Sequence, residues 1–367
     1  MVPGAIEVVY ASDCSVHGHF DAGFGQAISW DVPLLEGYPY RVLGNQNGVR
    51  LERWNSLHGR GVFNLLRKVR PKAALLSGLG YRFDWSVICG ALCLKIPLWL
   101  RTDTQDEANA NERSRLKSAV RSIFYRVAYR RFQRVFYTGE LSREHFLKHG
   151  VPEDGMTPAR HCTVDRFCGM ALAEKLELRC KVRDMFQIPH GQFIVAFFGK
   201  LIRVKNPGVI LESIPHLPES LRSRTTVIFV GSGELDTALK EAAGEIENRY
   251  GVRSVFAGFI NQLALPRYYL ASDLLVLPSA KEAWGLVVNE ALQAGCSVVL
   301  SNMVGCHREF AHLERVRMIR LSHAAALAAA VTDLAGFPRD FSWAADRLRD
   351  YSVEAAAQQI AHEIGRC

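Results

Sequence analysis

Across its 367 residues the chain has no Cys-x-x-Cys pair, no two aspartates two positions apart, and no His-Glu-x-x-His, Gly-x-Ser-x-Gly or Walker lysine pattern. These absences exclude a zinc set of standard spacing, a paired-aspartate cation clamp, a serine-hydrolase elbow and a P-loop. Long apolar runs are missing as well. The most apolar stretch, Trp85 to Leu100, is interrupted by Lys95 and Pro97 and falls short of the roughly 20 residues a bilayer span needs. No basic residue precedes an apolar run in Met1 to Tyr10, so no secretory signal is expected. The cysteines number nine, an odd count, and read as small core residues in a reducing cytoplasm. A cytoplasmic protein without a transmembrane helix is predicted.

What is present is an ordinary globular composition, 49% hydrophobic and 22% charged, in a chain long enough for two cores. The formal net charge of +8 points to an anionic partner without choosing among nucleotide phosphates, lipid headgroups and nucleic acid.

Short apolar runs bounded by breakers read as buried parallel strands at Ile6–Tyr10, Ala73–Leu76, Ile96–Leu100, Val135–Tyr137, Gln192–Phe198, Thr226–Val230, Val255–Gly258, Leu274–Leu277 and Val298–Leu300. Helical stretches lie between many of them, which predicts an α/β chain. The run to Phe198 leads into Gly199-Lys200-Leu201-Ile202-Arg203-Val204-Lys205-Asn206-Pro207, with Asn206 placed to cap a helix that Pro207 begins. Two lysines five apart on a glycine loop at a strand end can clamp a diphosphate and neutralise the charge that grows on it. Leu274–Leu277 leads through Pro278 and Ser279 into Glu282-Ala283-Trp284-Gly285-Leu286-Val287-Val288-Asn289-Glu290, with Gly295 as a helix stop. One carboxylate stands before this helix and the other about one and a half turns inside it. The helix N-terminus offers a seat for phosphate, and a carboxylate on each side can hold hydroxyls, which describes a nucleotide-sugar site.

The same residues resemble the Glu-x7-Glu motif of glycosyltransferase family 4, retaining enzymes of GT-B fold. The resemblance implies two Rossmann-like domains facing each other across a cleft: residues 1–170 on the acceptor side, 171–342 on the donor side, and a terminal helix, 343–367, returning to the first domain. By position it assigns Glu282 to the donor sugar and Glu290 to the ribose hydroxyls. Lys200 and Lys205, with Arg203 in support, fall to the diphosphate, although Lys200 stands where the family commonly has arginine. Gly199, Gly231, Gly233, Phe259, Ile260, Gly285, Leu286 and Val287 would wall the donor pocket. Gly23 and Gly25, in the loop after the first strand, and Asp103, where the family often has histidine, would lie toward acceptor or sugar. His17 and His19 read as polar loop residues, with an acceptor contact as the alternative.

The implied activity is metal-independent, retaining transfer of hexosyl type from a nucleotide-diphosphate sugar, UDP first and GDP next, with no cofactor. The acceptor would be a glycan, a polysaccharide or a lipid-linked precursor. Rivals are an epimerase of the same architecture and a non-catalytic basic binding protein. Arg113 to Arg134 carries eight basic residues, with Val120, Ile123, Phe124, Val127 and Phe132 at roughly helical spacing. It reads as a helix packed on the sheet with a solvated basic face, or as a surface resting on anionic membrane at the inner leaflet. Nucleic acid is not expected, because no stacking platform accompanies the charge.

Overall fold

The computed structural model describes residues 6–14, 16–44, 53–106, 115–321 and 323–366. Glu112 and Arg113, at the start of the basic stretch, lie outside the described residues, as does the Arg115 side chain. The chain divides into two compact units, one of residues 1–20, 27–160 and 354–367, the other of residues 21–26 and 161–353. Among the described residues no helix is long and apolar enough to cross a membrane.

In the first unit β1 (Val8–Tyr10) pairs in parallel with a strand at Tyr40–Val42, here β4; β2 (His19–Asp21) and β3 (Gln26–Ile28) pair with each other. A four-stranded parallel sheet follows, in the order β5 (Ala74–Leu76), β6 (Leu98–Thr102), β7 (Arg134–Tyr137), β8 (Met156–Pro158). Leu76, Leu98, Leu100 and Val135 face one core, and Trp99 and Phe136 face the other side, where Ile360 and Ile364 of the helix Val353–Arg366 pack. Glu363 of that helix accepts a hydrogen bond from Thr157 Oγ1 (2.9 Å) and pairs with Arg134 (3.2 Å).

Three expectations need correction here. The first strand begins at Val8 and is only half-buried. β6 runs from Leu98 to Thr102 rather than from Ile96 to Leu100: Pro97, which has no N–H, precedes the strand and offers its carbonyl to Ala74 N–H at 2.8 Å, and Arg101 and Thr102 continue the parallel pairing with Phe136 and Tyr137. The basic stretch forms a helix, Arg115–Tyr129, yet Val120, Ile123, Phe124 and Val127 do not pack on the sheet: they are 60%, 62%, 41% and 53% exposed. The helix is seated on its tyrosine side instead. Tyr129 is buried, stacks on Tyr125 (5.4 Å between centroids) and hydrogen-bonds His145 Nε2 at 2.8 Å.

The second unit is a six-stranded, wholly parallel sheet ordered β11-β10-β9-β12-β13-β14, with β9 at Phe193–Phe198, β10 at Thr225–Val230, β11 at Ser254–Gly258, β12 at Leu274–Leu277, β13 at Ser297–Ser301 and β14 at Val316–Ile319. Alternate residues of β9 enter two different cores: Ile194, Ala196 and Phe198 one, Phe193, Val195 and Phe197 the other. A strand buried on both faces must be apolar throughout, which is why these runs show no alternation. The order reverses between β9 and β12. Ligands of open α/β sheets gather outside the carboxyl ends of the strands at such a reversal.

Candidate functional site

The loops leaving β9 and β12 flank that reversal. The first passes Gly199 and Lys200 into a short 3-10 turn, Arg203–Lys205. Asn206 then takes a left-handed conformation (φ 53°) and closes that turn, its N–H donating to Arg203 O at 3.1 Å. It does not cap the helix Gly208–Ser213 with its side chain, contrary to the expectation from sequence. Asparagine tolerates left-handed backbone, and here that use wins. The second loop runs from Pro278 to Gly285 and is tied down at several points. Ala280 N–H donates to Val204 O (2.7 Å), Glu282 N–H to Met303 O (3.2 Å) and Cys306 N–H to Trp284 O (3.0 Å). Trp284 is buried, and its indole N–H donates to Asn289 Oδ1 at 2.9 Å.

This pinning brings Lys205 Nζ into a direct ion pair with the Glu282 carboxylate, both side chains about a fifth exposed. The two residues lie 77 positions apart in the chain and meet because their strands are neighbours in the sheet. Gly285 ends the loop at φ 97°, and the helix Leu286–Gln293 starts there. A Cβ at Gly285 would sit 2.9 Å from Val304 and 3.0 Å from Leu277, so glycine alone allows both the turn and the close packing.

Lys200 meets a different partner. Its Nζ donates to Asp21 Oδ2 at 2.8 Å and lies 5.1 Å from the centre of the Phe24 ring. Asp21 Oδ1 also accepts the N–H groups of Gly23 (2.8 Å) and Phe24 (3.2 Å), folding residues 21–26 into a tight turn. Burial raises the Asp21 carboxyl, but the Lys200 ammonium and the two amides outweigh it and hold the group below the usual carboxylate range. Gly23 packs against the Lys200 stem, with no room for a Cβ (2.6 Å to Cδ). Phe24 O accepts from Ser232 Oγ at 3.0 Å, and its ring meets Phe259 edge-on at 5.1 Å. Gly25, exposed, closes the turn by donating to Asp21 O at 2.9 Å.

Glu290 sits inside the helix Leu286–Gln293, its Oε2 accepting the Tyr269 hydroxyl at 2.6 Å. Burial raises its pKa, against the pull of Tyr269 and Arg166. Gly231, at the end of β10, has φ 144°, and a Cβ there would lie 1.8 Å from Gly199 O. The loops after β9 and β10 therefore touch backbone to backbone. Gly233 packs against Leu201, where a Cβ would lie 2.5 Å from its carbonyl oxygen. Arg203 is exposed, with its amide N–H toward Glu234 (3.3 Å). Phe259 and Ile260 follow β11 half-buried, and Leu286 and Val287 occupy the first turn of the motif helix. Asp103 lies in the first unit, just past β6, beside the Thr102–Thr104 hydroxyl pair (3.0 Å).

Sequence reasoning missed Asp21 and Tyr269. Asp21 could have been found as an aspartate two residues before a glycine in a turn, the pattern that folds an Asx turn. Tyr269 carries no such sign, since only the fold puts it against Glu290. In the first unit Asp106, His145 and His149 offer ligand atoms within 4.8 Å of one another. His145 Nδ1 already faces Asp106 at 3.0 Å and its Nε2 faces the Tyr129 hydroxyl, so the cluster is a hydrogen-bonded network of the core.

The second unit thus presents two ammonium groups and a carboxylate on loops at the carboxyl ends of its central strands, with a helix N-terminus beside them. Comparison with known proteins is in keeping with this geometry. Residues 180–336 match the family described as Glycosyl transferases group 1. A D-inositol 3-phosphate glycosyltransferase of Xylanimonas cellulosilytica is 27% identical over 171 residues, 46% of this chain and 37% of that protein. The match thus spans little more than a third of that relative's length. Among solved structures, HepE of Anabaena in complex with UDP and glucose superposes with a TM-score of 0.64 at 17% identity, covering 90% of this chain and 87% of that one. Sucrose-phosphate synthase of Thermosynechococcus elongatus gives 0.64 at 16% identity, covering 99% and 88%. Over residues 180–336 the chain is similar to the group 1 glycosyl transferases, and the fold of its two parallel-sheet units is of the GT-B class.

Proposed function

We propose that this protein transfers a glycosyl group from a nucleotide-diphosphate sugar to an acceptor hydroxyl with retention of anomeric configuration and without a metal ion. The observation that carries the proposal is the meeting of the loops after β9 and β12, with Lys205 paired to Glu282 at the reversal of strand order. As the bond from the sugar C1 to the phosphate oxygen breaks, negative charge grows on the leaving diphosphate. Lys200, Lys205 and the N-terminus of the helix from Leu286 stabilise it. Glu282 orients the sugar, and Glu290, held by Tyr269, binds the ribose hydroxyls. The acceptor oxygen bonds to C1 on the face the phosphate leaves, and its proton passes to the departing phosphate oxygen. Gly199, Gly231, Gly233, Phe259 and Ile260 wall the donor side; Gly23, Gly25 and Asp103 belong to the acceptor or sugar side. UDP is the first nucleotide to test, since the Anabaena relative was solved with UDP and glucose; GDP is the second.

The test is an assay of nucleoside diphosphate release from UDP- and GDP-sugars with saccharide and lipid-linked acceptors, with product configuration read by NMR. Acceptor-dependent release that survives EDTA and yields the donor's anomeric configuration supports the proposal. Epimerised donor in the absence of acceptor, or an inverted product, contradicts it.

A further inference from the structure

The helix Arg115–Tyr129 presents an apolar stripe to solvent. Leu116, Val120, Ile123 and Val127 follow one another at steps of four, three and four, which aligns them on one face of an α-helix. They are 76%, 60%, 62% and 53% exposed. Phe124, beside the stripe, meets Trp85 of the neighbouring helix at 5.6 Å between ring centres. The opposite face is where the helix is fixed: Tyr125 and Tyr129 stack there, and Tyr129 is bound to His145. At 100° per residue Lys117 and Arg121 fall on one flank of the stripe and Arg126 and Arg130 on the other. From Arg115 to Arg134 there is no aspartate or glutamate.

A contiguous exposed apolar stripe with cationic margins marks an interaction surface. Its chemistry selects the partner. Nucleic acid would satisfy the arginines but offers nothing to an aliphatic stripe of leucine, valine and isoleucine. A second copy packed on the same face about a two-fold axis would bring the two sets of basic flanks together. An anionic bilayer satisfies both parts at once, acyl chains taking the stripe and phosphate headgroups the flanks, and two such weak signals acting together give stable attachment. We infer that the exposed face of the helix Arg115–Tyr129 docks this protein in the plane of an anionic phospholipid surface. The inference stands apart from the glycosyl-transfer proposal, because it concerns attachment and is read without a donor.

The test is flotation of the full chain with vesicles of phosphatidylcholine alone and with 30 mol% phosphatidylglycerol, a composition on the order used to probe anionic-surface binding. The expected result is attachment at least about tenfold stronger to the anionic vesicles, weakening as salt rises. Ile123→Asp, at an exposed position where folding is undisturbed, should reduce attachment by about tenfold or more at every salt concentration. Arg126→Glu with Arg130→Glu should weaken it mainly at low salt, and Met185→Asp, an exposed control in the second unit, should leave it unchanged. Absence of flotation with anionic vesicles overturns the inference, and so does parental binding by Ile123→Asp. A dimer in light scattering that Ile123→Asp dissolves, without vesicle attachment, assigns the face to a second copy and overturns it too.

Discussion

The two units carry sheets of unlike construction. In the second, every residue of β9, β10, β12 and β13 is buried; in the first, β1 is half-buried, β2 and β4 are largely exposed, and one helix turns an apolar stripe outward. A strand enclosed on both faces tolerates little change, so its loops are held in fixed register. The second unit uses that rigidity to bring Lys205 onto Glu282 across 77 positions. Matches to known families fall there as well, over residues 180–336. The first unit spends less of its apolar surface on its own core and leaves part of it facing solvent. Chemistry is therefore expected to fail through changes in the second unit, and pH tolerance and surface attachment through changes in the first.

The largest effect should come from Glu282→Gln, which removes the carboxylate partner of Lys205 and, under the proposed function, the charge that orients the sugar. Turnover is expected to fall about 10³-fold, as for loss of one major electrostatic contact, with the melting temperature little changed. Next is Gly231→Ala. With a Cβ placed 1.8 Å from Gly199 O and φ at 144°, it should cost about 3 kcal/mol or more of stability, read as an earlier urea midpoint.

A change of comparable size belongs to the first unit. Burial lowers His145 from 6.5 to about 4, against the opposing pull of Asp106, so the folded state holds it neutral while the unfolded chain takes up a proton below pH 6.5. Stability is then full above pH 6.5, falls as pH drops toward 4, and changes no further through this group below that, a loss on the order of 3 kcal/mol. Amide exchange across Glu140–Lys148 should accelerate through that window, and His145→Phe should flatten the response. The smallest effect is expected from Asp21→Asn. Releasing Lys200 from its carboxylate should tighten nucleoside diphosphate binding by about threefold, since a partly exposed pair is worth under ~1 kcal/mol; weaker binding would mean that Asp21 helps hold the ligand.

The same contrast governs how much could be read in advance. Leu274–Leu277 stands at its expected bounds, and the strands at Phe193, Thr225, Ser254 and Ser297 begin within a residue of theirs, because doubly buried strands are unbroken apolar runs between breakers. The helix Leu286–Gln293 and the stop at Gly295, φ 78°, also follow from local signals. Periodicity could not tell which side of the helix Arg115–Tyr129 is seated, since tyrosine packs as readily as valine and the deciding contact, His145, is 16 residues past Tyr129. Asp21 and Tyr269 escaped for a related reason. Asp21 shows its turn in the local sequence, but its pairing with Lys200, like that of Tyr269 with Glu290, is set by packing between segments distant in the chain, which leaves no mark on local sequence.

The most direct measurement is calorimetric titration of UDP, GDP, dTDP and ADP, followed by the tightest binder and its monophosphate on the parent and on Lys205→Ala. The substitution is expected to weaken diphosphate binding by at least about tenfold and to leave monophosphate binding unchanged. If no nucleotide binds the parent, or if Lys205→Ala holds the diphosphate as tightly as the parent does, the loops after β9 and β12 do not form a diphosphate site.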